Sequence, residues 1–181
     1  FTTATGSYNT AVGSGSGGGL TTGTENTLVG GLAGDALTTG GQNAAFGAQA
    51  LTTDILGSKS VAIGESALKV QNFTTATNAY NVAVGADAGE AVTTGIENTL
   101  IGGLAGDALT DADYNVALGA RALGSDTLGS RSVAIGRSAL ESQNFTTATD
   151  AYNTAVGAFA GLEVTTGESN NLIGGLAGDA L

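Results

Sequence analysis

Apolar and polar positions along this chain follow a short, fixed beat. A polar Asn or Ser, a variable residue, two apolar residues and a glycine recur as NTAVG, NTLVG, NAAFG, SVAIG, NVAVG, NTLIG, NVALG, SVAIG, NTAVG and NNLIG. The closing glycines are Gly13, Gly30, Gly47, Gly64, Gly85, Gly102, Gly119, Gly136, Gly157 and Gly174, spaced 17, 17, 17, 21, 17, 17, 17, 21 and 17 residues apart. Three short units and one long one therefore make a superrepeat of 72 residues. Val, Ile, Leu, Phe and Thr clustered between turn residues read as a short strand rather than a helix. A second, weaker strand is expected after each glycine, in AQALTT, ESALKV, GEAVTT and GLEVTT, with TTG turning the chain back.

Two strands and two turns per unit make one coil of a solenoid. The pattern thus predicts an all-β protein, a parallel β-solenoid of about ten 17- or 21-residue coils, with residues 1–181 forming a single repeat array. Stacked coils rise by ~4.8 Å, so one superrepeat advances ~19 Å. Within SVAIG, strand alternation puts Val61 and Ile63 on one face and Ala62 on the other; Val133, Ile135 and Ala134 repeat the arrangement. One face is bulky and one small, and the pattern alone leaves open which of them fills the coil. A single coil has little apolar surface with which to offset the ordering of its backbone, so an obligate oligomer is expected.

The long unit carries QNFTTATNAYNVAVG at 71–85 and QNFTTATDAYNTAVG at 143–157, and the chain opens on FTTATGSYNTAVG. The extra residues expand one outer turn in every fourth coil. Phe1, Phe73 and Phe145 with Tyr8, Tyr80 and Tyr152 provide six of the nine aromatics. Phe73, Tyr80, Phe145 and Tyr152 are therefore the candidate site: clamps over a neighbouring coil or chain, or contacts for a receptor such as a glycan.

Composition narrows the chemistry. The chain has no His, Cys, Pro, Met or Trp, which removes Ser–His and Cys–His catalysis. A formal charge of −11 repels phosphate backbones and anionic bilayers, so neither nucleic acid nor membrane insertion of this segment is expected. The acidic side chains Glu65, Glu90, Glu97, Glu141, Glu163 and Glu168 fall in polar turns without an aromatic cleft around them, and no enzymatic activity or cofactor is expected. GGLAGDAL at 30–37, 102–109 and 174–181 is close to a calcium-binding nonapeptide. It makes Asp35, Asp107 and Asp179 weak calcium candidates, with Leu37, Leu109 and Leu181 at the apolar position. The second glycine is one place late, and a structural turn is the simpler reading. An ice-binding threonine ladder is disfavoured because Asp54, Asp111 and Ser125 interrupt the TTG series.

Structural roles are better supported. The ten closing glycines mark a left-handed backbone or a close chain approach. Asn81, Asn98 and Asn115 are placed to form an amide ladder, with Ser60 and Ser132 as its exceptions. Lys59, Lys69, Arg121, Arg131 and Arg137 make basic bands among the acids and are candidates for fixing register, because near-identical units slip easily.

The motifs NTAVG, NVAVG and SVAIG resemble the head repeats of trimeric autotransporter adhesins, which form a left-handed parallel β-roll in a three-chain rod. The longer pattern, TTGxxNTxxGGLAGDALT followed by YNVALGARALGSDTLGSRSVAIG, resembles repeat arrays of phage tail fibres. The resemblance spans the whole chain but departs from the adhesins in unit length, since 17 and 21 exceed their usual 14 and the outer turns must differ. It implies a left-handed β-roll packed as a homotrimer, extracellular or on a virion surface. The implied role is the structural shaft of a tail fibre serving host attachment; the alternative is an adhesin head that binds a host glycan or protein along its side.

Overall fold

Each apolar cluster forms one three-residue strand, and the strands stack coil upon coil. A computed structural model describes residues 6–179, so Phe1 and Leu181 lie outside the described residues. Ten strands build one parallel sheet: β1 (Thr10–Val12), β2 (Thr27–Val29), β3 (Ala44–Phe46), β5 (Val61–Ile63), β7 (Val82–Val84), β8 (Thr99–Ile101), β9 (Val116–Leu118), β11 (Val133–Ile135), β13 (Thr154–Val156) and β14 (Asn171–Ile173). Equivalent residues pair across coils, Ala45 with Ala62 and Ala62 with Ala83, so a 21-residue coil leaves the register unchanged. Among the described residues two shorter ladders occur, both at the expanded coils, β4 (Gly57–Ser58) with β6 (Thr77–Asn78) and β10 (Gly129–Ser130) with β12 (Thr149–Asp150). The chain is an all-β parallel solenoid of about ten turns, with no helix among the described residues.

The second strand that the sequence predicts in AQALTT and its equivalents does not form. Those segments are chains of tight turns in which alternate residues adopt positive φ, Gln49 at 59° and Leu51 at 54°. Successive amides then point to different coils: Gln49 donates back to the Gly31 carbonyl (2.9 Å), Ala50 to Gly47 in its own coil (3.4 Å) and Leu51 forward to Ala67 (3.0 Å). A pleated ladder needs alternate amides to point to the same neighbour, and this alternation prevents it. A left-handed conformation costs a non-glycine residue about 1 kcal/mol. The chain adopts it at three positions per coil, for example Asp87, Gly89 and Glu97, and intercoil hydrogen bonding offsets the strain.

The small face of the sheet is the inside. Ala45, Ala62, Ala83, Ala117, Ala134 and Ala155 are fully buried, with Leu28 and Leu100 taking their place in the GGLAGDAL coils. Coils in the described span also carry a further large interior side chain at one of two places. Gly34 and Gly106 accompany Leu37 and Leu109, whereas Leu51, Leu68, Leu123 and Leu140 accompany the polar Asp54, Gln71, Asp126 and Gln143. A Cβ at Gly34 would meet Leu28 and Leu37, so the two places cannot both be filled. The bulky face points outward, where Phe46, Ile63 and Leu118 remain 40%, 39% and 42% exposed.

Candidate functional site

The expanded turn begins inside the solenoid. In ordinary coils the first-position Asn side chain binds forward along the stack: Asn43 accepts from the Ser60 amide at Oδ1 (2.9 Å) and donates from Nδ2 to the Gly57 carbonyl (3.0 Å). The ladder runs through Asn81, Asn98 and Asn115 in the same way, ending on the Ser132 amide (2.9 Å). Serine at 60 and 132 is too short to continue it. Glutamine from the expanded turn fills the space: Gln71 donates from Nε2 to Ser60 Oγ (3.0 Å) and to Asp54 Oδ2 (2.6 Å), while its Oε1 accepts from Asn81 Nδ2 (2.8 Å).

Asp54 anchors the turn to the coil before it. Its Oδ1 accepts from the Gly57 amide (3.0 Å) and from the Phe73 amide (3.0 Å), tying the expanded segment to the preceding coil. Gly57 is required because a Cβ there would run into the Asp54 carboxyl group. Burial pushes the Asp54 carboxyl above its ordinary value of 3.8, against the opposing pull of the Gln71, Phe73 and Gly57 hydrogen bonds. The second superrepeat repeats the set: Asp126 accepts from Gly129 (3.1 Å), Phe145 (3.0 Å) and Gln143, and Gln143 reaches Ser132 (3.2 Å) and Asn153 (2.8 Å). Both carboxylates are fully buried with their oxygens engaged by N–H donors, an arrangement that orders backbone and offers no base to a substrate.

The four candidate aromatics separate into two kinds. Phe73 and Phe145 are buried, 5% exposed each, and the Phe145 ring lies against Gly129. Tyr80 and Tyr152 are on the outside, with Lys59 5.0 Å from the Tyr80 ring centroid and its Nζ donating to the Tyr80 hydroxyl (2.9 Å). What protrudes between them is Thr74–Thr75–Ala76, with Thr146, Thr147 and Ala148 in the second copy.

Other candidates are scattered. The closing glycines have φ between 125° and 145°, and in nine of them a Cβ would meet the equivalent glycine of the next coil. Among the described residues no three acidic side chains gather as a metal cluster. Asp35 lies beside Gly18, and the Asp179 amide closes a turn on Leu176 (3.3 Å). Asp107 lines a shallow depression of about 260 Å³ with Leu104, Arg121, Gly124, Ser125 and Glu141, and burial raises its carboxyl while Arg121 lowers it. Of the six glutamates considered for catalysis, Glu90 pairs with Lys69 (3.1 Å) and Glu141 with Arg121 (3.4 Å). Threonines of the TTG series bond along the axis, Thr38 donating to Ile55 and Thr93 to Thr110 (3.1 and 3.2 Å).

Asp54 and Gln71 are the site residues that sequence reasoning missed. Their signal was present: Asp54 and Gln71 lie 17 apart, as do Asp126 and Gln143, and both pairs coincide with the only two serines in the Asn column. No protein-family model, curated protein or solved structure matches the chain.

Proposed function

We propose that this chain is a shaft segment of an extracellular fibre, a phage tail fibre serving host attachment, in which three parallel copies, each a left-handed β-roll, pack around a common axis. The observation that carries the reading is the outward sheet face. Its third strand position is Val, Ile, Leu or Phe in all ten strands, joined by valine at the first position in Val61, Val82, Val116 and Val133, while the interior of each coil is built largely from alanine. Ten strands at ~4.8 Å by three residues make a face of about 500 Å² with an unbroken apolar stripe along it, the size that marks an interaction site on soluble proteins. Such a face asks for a long, flat, parallel partner, and another copy of the chain has the same rise. The likeness of the repeats to fibre and adhesin arrays supports three copies and an extracellular setting.

Sedimentation equilibrium of the chain tests this. The expected mass is three times the 17.4 kDa of one chain, in a rod visible by electron microscopy. A monodisperse monomer overturns it. The adhesin-head alternative draws on the exposed Thr74–Ala76 turn and on Tyr80, which face outward on the coil. If host binding survives in this segment but is lost on Tyr80→Ala with Tyr152→Ala, the side-binding reading displaces the shaft.

A further inference from the structure

Two columns border the apolar face, one at each end of its strands. The entry column precedes the first residue of each coil and reads Tyr8, Glu25, Gln42, Lys59, Tyr80, Glu97, Tyr114, Arg131, Tyr152 and Ser169; its backbones all have φ from 47° to 63°. The exit column lies two residues past each closing glycine and includes Leu32, Asp87, Leu104, Arg121, Phe159 and Leu176, again all at positive φ. Axial hydrogen bonds keep both straight: the Glu97 amide donates to Ala79, and the Asp87 amide to Glu65 (2.8 and 2.9 Å).

Their charges are only partly paired within the chain. Among the described residues, ion pairs join Lys69 to Glu90, Arg121 to Glu141 and Arg131 to Asp150. Lys59, Asp87 and Glu97 have none, and Arg121 meets Glu141 at 3.4 Å with 60% of its side chain still exposed. Large apolar groups also stand open in these columns, Tyr8 at 78%, Tyr152 at 55%, Leu32 at 40% and Leu176 at 57%.

In a cyclic parallel assembly the entry column of one copy faces the exit column of the next. Three registers are then in reach. At equal level no opposite charges meet, and Glu97 is set against Leu104. With the exit column one coil lower, Glu97 faces Asp87 and Arg131 faces Arg121, two like-charge contacts. With it one coil higher, Lys59 faces Asp87, Glu97 faces Arg121, and the tyrosines at 8, 80 and 152 cover the leucines at 32, 104 and 176.

We infer that neighbouring copies associate in this last register, one coil apart, with Lys59–Asp87 and Glu97–Arg121 as interchain ion pairs and Tyr80 seated on Leu104. The inference rests on the trimeric-fibre reading and adds to it how the copies align. Sheet alignment alone cannot fix this, because the apolar face is nearly the same in every coil. The flanking columns differ from coil to coil and supply the missing distinction, by attraction in one register and repulsion in another. Strands inclined to the fibre axis by one coil height across the face accommodate the offset while all three copies stay level.

The chain has no cysteine, so introduced pairs report directly. Glu97→Cys with Arg121→Cys should give covalent trimers on a non-reducing gel under mild oxidation, while Glu97→Cys with Leu104→Cys or with Asp87→Cys should not. These partners lie at opposite ends of the strand, so a bond within one chain is excluded by reach. Charge exchange provides the second reading: Glu97→Lys or Arg121→Glu alone should lower the trimer fraction at low salt severalfold, and the double exchange should restore it. Cross-linking of either other pair, or a double exchange no better than the singles, overturns the register while leaving the trimer standing. A monomeric wild-type chain overturns both.

Discussion

The two expanded turns, 71–80 and 143–152, share one buried Asp–Ser–Gln–Asn hydrogen-bond set and have different exteriors. Inside, Asp54, Ser60, Gln71 and Asn81 have exact counterparts in Asp126, Ser132, Gln143 and Asn153, with the same partners throughout. Outside, Lys59 donates to the Tyr80 hydroxyl, whereas Arg131 turns its Nε to Asp150 Oδ1 (2.9 Å), Asp150 standing where the first copy has Asn78, and lays its guanidinium 4.6 Å from the Tyr114 ring centroid. Lys69 reaches forward to Glu90, while Glu141 at the equivalent place reaches back to Arg121. One interior difference does exist. The Thr127 hydroxyl donates to the Phe145 carbonyl (2.8 Å) and shares that proton with Asn144 Oδ1 (3.2 Å), but Ile55 occupies the matching position in the first copy, and Asn72 Oδ1 is buried without a partner. The comparison teaches that the buried polar set holds the turn, and that the surface pairs around it can be exchanged.

The largest effect should come from Asp54→Ala or Asp126→Ala. Each leaves two backbone amides and one of the two N–H groups of a glutamine amide buried without an acceptor, a loss of about 3 kcal/mol. Hydrogen exchange should show the Phe73 or Phe145 amide losing its protection while distant coils keep theirs. Equal loss across the whole array would show that the turn is not held locally.

Next in size is the exchange at Ile55. Ile55→Thr should give Asn72 the partner that Asn144 has and stabilise the first turn by about 1 kcal/mol, and Thr127→Ile should destabilise the second by a similar amount. Denaturant melts of the two variants should move in opposite directions.

A smaller effect is set by acidity. Because the folded Asp54 value is raised, its contribution to stability is fully present below the ordinary 3.8 and is lost as the pH rises through the folded value. Asp107 and Asp113 are raised by burial too and contribute in the same direction. Melting midpoints should therefore gain from these three groups on acidification from neutral pH. Asp54→Asn should remove the part that NMR titration assigns to Asp54.

The smallest effect belongs to the exposed pair. Asp150→Asn makes the second copy resemble the first at that point and should leave the melting curve almost unchanged at physiological salt, because exposed ion pairs contribute little. A marked loss would mean that the exteriors are not interchangeable.

Much of this was legible in the sequence. The closing glycines gave the coil length and the strand position, and Val61–Ala62–Ile63 gave the alternation. Which face was inside was not legible, because a branched residue suits a core as well as an interface; the alanine column decides it only once Leu51, Leu68, Leu123 and Leu140 are seen to fill the interior beside it. The second strand failed for a different reason. AQALTT has the composition of a strand, but Gln49 and Leu51 adopt positive φ, and no apolar pattern encodes that. Asp54 was read as an interruption of a threonine series, since a carboxylate in a turn is usually solvated. Its burial depends on Gln71 in the next coil, a partner that local pattern does not show.

The pairing of Asp54 in one coil with Gln71 in the next also bears on how such a gene can change length. Gain or loss of a single 17-residue unit at that junction sets the aspartate beneath a coil that lacks the glutamine, or the glutamine above a coil that lacks the aspartate. Recombination in steps of 72 residues preserves every such neighbour. The length of the array should therefore be inherited in increments of four coils, ~19 Å each.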